Sequence, residues 1–319
     1  MLREPVTRSK RPESSGIFVI DKPAGLTSAR VVSILKKALG AKKVGHAGTL
    51  DPFAEGVLIC CVNQATKLAE FLLRGPKRYI AELKLGEETD TQDLTGTVIS
   101  KKEPDNYPAE SIQAVFKEFE GSIEQLPPVY SALKHKGVPL YKLARNGRPV
   151  QKPSRPVEIY SITIQDIEMP VIRFEVSCSA GTYIRTLGAD IGKMLGCGGH
   201  LNALKRTASS GFTLDQAVSL SALEDLTPDS PLPANFISMA DALPEMPAYT
   251  VDRRLAKKIR HGQKITIRDL TANEDFDTGR ISGSEIKIVD QTGELVAILN
   301  YRKHDRRLDY RCVFPGEYV

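Results

Sequence analysis

Hydrophobic and polar positions change period several times along the chain, and each change marks an element. Residues 16–26, with the apolar run Ile17-Phe18-Val19-Ile20, predict a short strand followed by a turn on Lys22-Pro23 and Gly25. Thr27 or Ser28 can then cap a helix. Val31, Ile34, Leu35, Ala38 and Leu39 keep the helical spacing, and Gly40 stops it. Residues 42–55 carry neither period and read as a loop. The unbroken apolar run Val57-Leu58-Ile59-Cys60-Cys61-Val62 reads as a buried strand, and 66–73 as a helix ending at Arg74-Gly75. Residues 78–85 alternate: Tyr79, Ala81, Leu83 and Leu85 face one way, Ile80, Glu82 and Lys84 the other, which predicts a strand. Ile112, Val115, Phe116 and Phe119 give a helix over 109–120, with Pro108 at its first turn.

Further on, strands at 158–166 and 171–179 form a hairpin around Met169-Pro170. Gly181 leads into a helix over 182–195, a strand covers 202–209, and helices are expected near 214–226. The proline-rich stretches 227–235 and 244–247 bracket a domain boundary. Beyond it, strand-like runs at 264–268, 285–290, 294–301 and 310–314 predict a small β-rich module. The expected organisation is a flexible tail at 1–15, a main domain at 16–243 and a module at 244–319. The fold class is α+β: a mainly antiparallel mixed sheet with flanking helices, plus the β-rich module.

Composition narrows the function classes. The chain has 319 residues, enough for about two domains at roughly 150 residues each. No apolar run approaches the roughly 18–20 residues that span a bilayer, so no membrane partner is expected. The first fifteen residues lack the apolar core of a secretory signal. Five cysteines with no C-x-x-C pair argue against a disulfide or zinc scaffold and fit a reducing cytoplasm.

The net charge of +5 is mild, but its placement is not. Residues 125–157 hold seven basic residues, Lys134, Lys136, Lys142, Arg145, Arg148, Lys152 and Arg155, and no acidic one. The other 286 residues therefore sum to −2. Six prolines and two glycines break this segment, which leaves room for one short helix near 139–145. A basic insertion interleaved with Tyr130, His135 and Tyr141 either clamps a phosphate backbone or presents a solvated face.

Candidate chemistry is sparse. Asp51 lies in Gly45-His46-Ala47-Gly48-Thr49-Leu50-Asp51-Pro52, where Pro52 restricts it to extended geometry. A carboxylate held there acts as nucleophile or base, or merely caps the next turn. Arg185, two residues after Tyr183 at a helix start, could pair with that carboxylate or with a surface acid. Tyr79, just after Lys77-Arg78, could stack on a base or serve as an ordinary cross-strand aromatic, and His46 is equally open. Glu87, Glu88, Asp90 and Asp93 lack the ladder of a calcium loop and read as a solvated turn. There is no P-loop, G-x-S-x-G or H-E-x-x-H, and Gly196-Cys197-Gly198-Gly199 does not fit a dinucleotide fingerprint.

The loop GHAGTLDPFAEGVL, read with DKPAGLTS upstream, resembles the TruB family of tRNA pseudouridine synthases. Lys77-Arg78-Tyr79 leading to Leu85-Gly86 and Thr89-Asp90-Thr91, the run from Pro127 to Lys134, and Gly181 to Leu187 resemble further motifs of that family in the expected order. Ala47, Phe53 and Glu55 depart from the commonest residues beside Asp51.

The resemblance implies isomerisation of uridine 55 in the T-loop of tRNA to pseudouridine, with the base flipped out. It implies no cofactor and no metal, since the rearrangement is internal and changes no oxidation state. The implied catalytic residues are Asp51 as nucleophile, Tyr79 stacked on the base and able to take the C5 proton, and Arg185 orienting Asp51. Tyr183, His46 and Leu204 would line the base pocket with Tyr79, and Lys22 and Pro23 would support the loop. Lys134, Lys136, Lys142, Arg145 and Arg148 would grip the tRNA T-arm, and residues 244–319 are similar in position and pattern to an RNA-binding PUA-type module. A monomer without an obligate protein partner is expected. The alternatives are a non-catalytic tRNA-binding or folding protein and a guide-RNA-dependent relative. The insertion argues against the second.

Overall fold

The computed structural model describes residues 14–223, 231–271, 285–302, 304 and 307–316. The chain opens with β1 (Gly16–Lys22), α1 (Ser28–Leu39), β2 (Val44–His46) and β3 (Glu55–Val62), then a 3-10 turn at Asn63–Leu68 and α2 (Ala69–Arg74). There follow β4 (Lys77–Leu85), β5 (Glu87–Thr89), β6 (Val98–Lys101), α3 (Ala109–Lys117) and β7 (Gly121–Gln125). The basic insertion holds β8 (Lys134–His135), β9 (Val138–Pro139) and α4 (Leu140–Arg145). The main domain closes with β10 (Arg155–Glu168), β11 (Val171–Cys178), α5 (Ile184–Met194), β12 (Gly199–Ser209), β13 (Phe212–Thr213), β14 (Val218–Ser219) and β15 (Ile237–Ser238). The C-terminal part contains β16 (Ala248–Val251), α6 (Arg253–Arg260), α7 (Ile267–Thr271), β17 (Glu285–Asp290), β18 (Leu295–Arg302) and β19 (Arg307–Val313).

The main sheet runs β14-β1-β3-β12-β4-β11-β10-β7, antiparallel except where β1 meets β14 and β3 meets β12. Its burial follows the sequence pattern. In β1 and β3, Phe18, Ile20, Leu58 and Cys60 join one apolar cluster and Ile17, Val19, Val57, Ile59 and Cys61 the other, so both strands are covered on both faces. Double coverage explains their unbroken apolar runs. In β4 only Tyr79, Ala81, Leu83 and Leu85 enter the core, which explains its alternation. Helices α1, α3 and α5 close that face through Val31, Leu35, Ile112, Phe116, Leu187 and Ile191. Thr27 caps α1 by accepting from Arg30 N, and Gly40 ends it in the left-handed conformation.

Two expectations are corrected. Residues 214–226 form no α-helix among the described positions, only 3-10 turns at Leu214–Gln216 and Ser221–Leu223. Thr213 and Gln216 make a reciprocal cap, but the first turn cannot extend, because Val218 and Ser219 are captured in parallel by the edge of β1. Residues 264–268 are not a strand: Asp269 accepts from Thr266 N and Oγ1 and starts α7 instead. The fourth strand of the C-terminal sheet is β16, which pairs in parallel with β17 in the order β16-β17-β18-β19.

The expected tail at 1–15 lies outside the described residues except for its end. There Asn63 donates to Ser14 O and Gln64 N donates to Ser15 Oγ, so residues 14 and 15 are tied down. The C-terminal module has its own core around Val251, Ile259, Ile288 and Leu299. It also shares a cluster with the main domain, where Val289, Leu295, Ile298 and Phe314 pack with residues such as Ile59, Leu68 and Phe71. Lys287 reaches back to Ala240 O and Leu243 O, and Arg311 pairs with Glu70.

Candidate active site

The loop after β2 is pinned on both sides of Asp51. Ala47 N donates to Ile59 O at 2.9 Å. Gly48, at φ +108, takes a conformation that L side chains rarely adopt. Leu50 is held twice by the buried Ser28 hydroxyl, which accepts from Leu50 N at 2.9 Å and donates to Leu50 O at 3.0 Å. Pro52 O accepts from Gly25 N at 2.8 Å and from Lys22 Nζ at 3.3 Å. Lys22 Nζ also donates to Pro23 O and Leu26 O, so one buried ammonium ties the first turn to the residue after Asp51. Burial draws the Lys22 pKa down to about 8, against opposing pulls from Glu55 and Asp51. Pinned on both sides, the Asp51 side chain remains about one-third exposed.

Arg185 lies against it. Its Nε donates to Asp51 Oδ2 at 2.8 Å and its Nη2 to Asp51 Oδ1 at 3.3 Å, a forked pair. The same guanidinium donates to Thr91 O at 2.6 Å and Tyr130 O at 2.8 Å, and Asp93 Oδ2 stands 3.6 Å away. Arg185 is only 3% exposed, so it is a buried cation shared by two carboxylates and two carbonyls. The acidic hairpin is therefore not a solvated turn, and that expectation is corrected. Thr89 and Asp93 are buried, and Asp93 Oδ1 accepts from Thr91 Oγ1, Thr95 N and Thr95 Oγ1. Asp90 accepts from the Tyr130 hydroxyl at the foot of the insertion.

Tyr183 precedes α5 and owes its position to Gln125, a residue with no signal in the sequence. Gln125 is 1% exposed, and its amide mimics a strand partner: Oε1 accepts from Tyr183 N at 2.7 Å and Nε2 donates to Tyr183 O at 3.0 Å. Arg155 stacks its guanidinium 5.2 Å from the Tyr183 ring centroid and donates to Gly181 O. Arg155 thus belongs to the site and not to the insertion's free charge. Lys134, Lys136, Lys142, Arg145 and Arg148 are all exposed, with Arg145 over the Tyr141 ring.

Tyr79 sits in mid-strand, 8% exposed, opposite Val176 on β11 and Arg206 on β12. Burial pushes its hydroxyl pKa up, and the Arg206 charge draws it back in part. His46 is half-buried with an unpartnered Nδ1, and burial together with Arg206 pushes its pKa down. Leu204, opposite Ala81, lines a cavity of about 600 Å³ with Gly25, Pro52, Phe53, Ile80 and Leu94. Of the expected pocket residues, Leu204 lines this cavity, whereas Tyr79, Tyr183 and His46 are not among the residues that line it.

The chain has relatives of known kind. The model of the TruB family pseudouridylate synthase N-terminal domain matches residues 36–184, and that of the tRNA pseudouridylate synthase B C-terminal domain matches 185–234. A tRNA pseudouridine synthase B of Syntrophotalea carbinolica is 42% identical over 302 residues, covering 94% of this chain and 97% of the relative. That of Geobacter sulfurreducens is 42% identical over 283 residues, covering 89% and 92%. Among solved structures, the archaeal box H/ACA sRNP Nop10–Cbf5 complex matches with TM-score 0.71 at 27% identity, covering 97% of this chain and 90% of that one. A Cbf5–Nop10–Gar1 complex matches with TM-score 0.71 at 28% identity, covering 93% and 84%.

Proposed function

Because the chain belongs to the TruB family of pseudouridylate synthases, we propose that it converts uridine 55 in the T-loop of tRNA to pseudouridine, with Asp51 as the catalytic carboxylate. It is an isomerase acting on tRNA uridine. The reaction breaks the N-glycosidic bond, turns the base and joins its C5 to the ribose, with the C5 proton leaving and the freed N1 taking up a proton. Such a base must first leave its stack, at a cost of a few kcal/mol. Aromatic surface and phosphate anchors offset that cost.

The observation that carries the reading is the forked pair of Arg185 with Asp51 in a loop fixed on both sides. A bare surface aspartate would swing among rotamers; this one is held in one orientation, with an open face toward solvent. Tyr79, Tyr183, His46 and Leu204 would receive the flipped uridine, while Lys22 and Pro23 keep the loop in place. The exposed Lys134, Lys136, Lys142, Arg145 and Arg148 would neutralise T-arm phosphates. Arg253, Arg254 and Lys257 on α6 offer the C-terminal module a second basic surface for RNA, as a PUA-like domain would. The enzyme would act as a cytoplasmic monomer without a guide RNA.

The test is tritium release from a T-arm RNA labelled at uridine C5. Asp51→Asn should abolish release while tRNA binding persists. Undiminished release by that variant would refute the role of Asp51, and pseudouridine mapped to another position would refute the site assignment.

A further inference from the structure

Arg206 heads the fully buried side chains of the described molecule by size, at 1% exposed. Its hydrogen bonds go to two backbone carbonyls: Nε donates to Val57 O at 2.7 Å and Nη2 to Gly48 O at 3.1 Å. Among the described residues no ion pair to a carboxylate accompanies them, unlike Arg185 with Asp51 and Asp93. Burying a cation without a counter-charge costs several kcal/mol. An apolar side chain of similar length would pack there without that cost, so packing alone does not account for an arginine.

Its surroundings suggest what the charge does. Arg206 pairs with Tyr79 across β12 and β4, and with Gly56 across β12 and β3. The approach to β3 is so close that a Cβ on Gly56 would lie 2.2 Å from Arg206 O. Its side chain then reaches Gly48, three residues before Asp51. One guanidinium thereby joins the strand that carries Tyr79 to the loop that carries Asp51. Burial pushes the Tyr79 hydroxyl upward, and the Arg206 charge and N–H groups are the largest influence opposing it.

We propose that Arg206 is a positioning residue for the isomerisation that acts through Tyr79, fixing the phenol against the Gly48–Asp51 loop and directing its hydroxyl toward the bound base. Residues paired across antiparallel strands project to the same face, so the Arg206 side chain leaves β12 on the side of the sheet that carries the Tyr79 ring. The proposal rests on the reading that Tyr79 meets the target base.

A double-mutant cycle separates this role from that of a plain loop prop. Single-turnover rates at saturating tRNA are measured for Arg206→Met and Arg206→Lys, each in the parent and in a Tyr79→Phe background. Tyr79→Phe alone should slow the reaction. Arg206→Met should slow the parent about 30-fold but the Tyr79→Phe enzyme no more than about 3-fold, since the phenol it serves is gone. Arg206→Lys keeps the charge and should fall between, and it carries the cycle if the methionine variant does not fold. With tyrosine labelled at the phenol carbon, the NMR signal that disappears in Tyr79→Phe should titrate at higher pH in Arg206→Met. Equal losses in both backgrounds, or an unmoved titration, would overturn the proposal. An unchanged rate in Tyr79→Phe would instead overturn the assignment of Tyr79 on which it rests.

Discussion

Arg185→Lys tests whether the shape of the guanidinium matters as well as its charge. Arg185 serves four acceptors from three nitrogens: both oxygens of Asp51, Thr91 O and Tyr130 O. A lysine ammonium has three N–H groups radiating from one point, so it can hold the carboxylate but must release at least one acceptor. Hydrogen bonds to charged groups contribute about 1.5–3 kcal/mol each, and losing one or two gives about 1.5–6 kcal/mol. Asp51 is about one-third exposed and water can replace part of its share, so a value in the lower half of that range, about 2–3 kcal/mol, is expected. If half of that loss appears as misorientation of Asp51, the rate falls about tenfold, at 1.4 kcal/mol per decade. Urea unfolding reads the stability, and single-turnover tritium release at saturating tRNA reads the rate. A lysine variant within about 0.5 kcal/mol and about twofold of the parent would refute the reasoning, because charge alone would then suffice.

Other consequences follow from the same geometry. Gln125→Leu leaves the part-buried Tyr183 N–H without its acceptor, while Tyr183 O keeps Leu187 N, and should cost about 1–3 kcal/mol in urea unfolding; a loss under about 0.5 kcal/mol would mean the clamp is idle. Lys22 is an ammonium below its pKa of about 8 and loses an N–H above it, so the rate should decline on an alkaline limb near pH 8 that Lys22→Met lacks. Because the folded value lies below the ordinary 10.5, the unfolded chain binds the extra proton between them, and the contribution of Lys22 to stability rises with pH across that window. Neutralising Lys134, Lys136, Lys142 and Arg148 together should weaken tRNA binding and flatten its log–log salt slope by up to about 3; an unchanged slope would show that the insertion touches no phosphate. Phe314→Ala, at the shared cluster, should cost about 3–5 kcal/mol, measured by thermal unfolding, and an unshifted transition would mean the module is not docked through that ring.

Much of the fold was legible because its causes are local. The caps of α1, the alternation of β4 and the doubly buried runs of β1 and β3 are written in neighbouring residues. Errors came where a tertiary partner outbid a local pattern. Ile265 and Ile267 alternate as a strand would, yet the carboxylate of Asp269 takes Thr266 and turns the chain into α7. Helix α6 carried its own signal, Asp252 capping Leu255 N with Leu255, Ala256 and Ile259 on one face, but five basic residues in eight obscured it. Motif resemblance pointed to Asp51, Tyr79 and Arg185, whereas Asp93, Gln125 and Arg206 were missed. Each of these is a polar residue that meets, in the fold, a partner between 58 and 158 positions away. In sequence such a residue looks no different from one in solvent.

The placement of charge and the construction of the site are one arrangement. Arg185 is bound at once to the loop after β2 through Asp51, to the acidic hairpin through Thr91 and to the foot of the basic insertion through Tyr130. Tyr130 is itself fastened to that hairpin, since its hydroxyl donates to Asp90. The three segments are distant in sequence and meet at a single buried cation. A shift of the insertion at Tyr130 therefore alters a bond of the guanidinium that orients Asp51. A separate RNA-binding domain on a linker would grip the substrate without this consequence. Here the exposed basic residues lie on a segment whose start, at Tyr130, bonds the same guanidinium that holds the Asp51 carboxylate, so a substrate gripped by that segment would act on the bond directly.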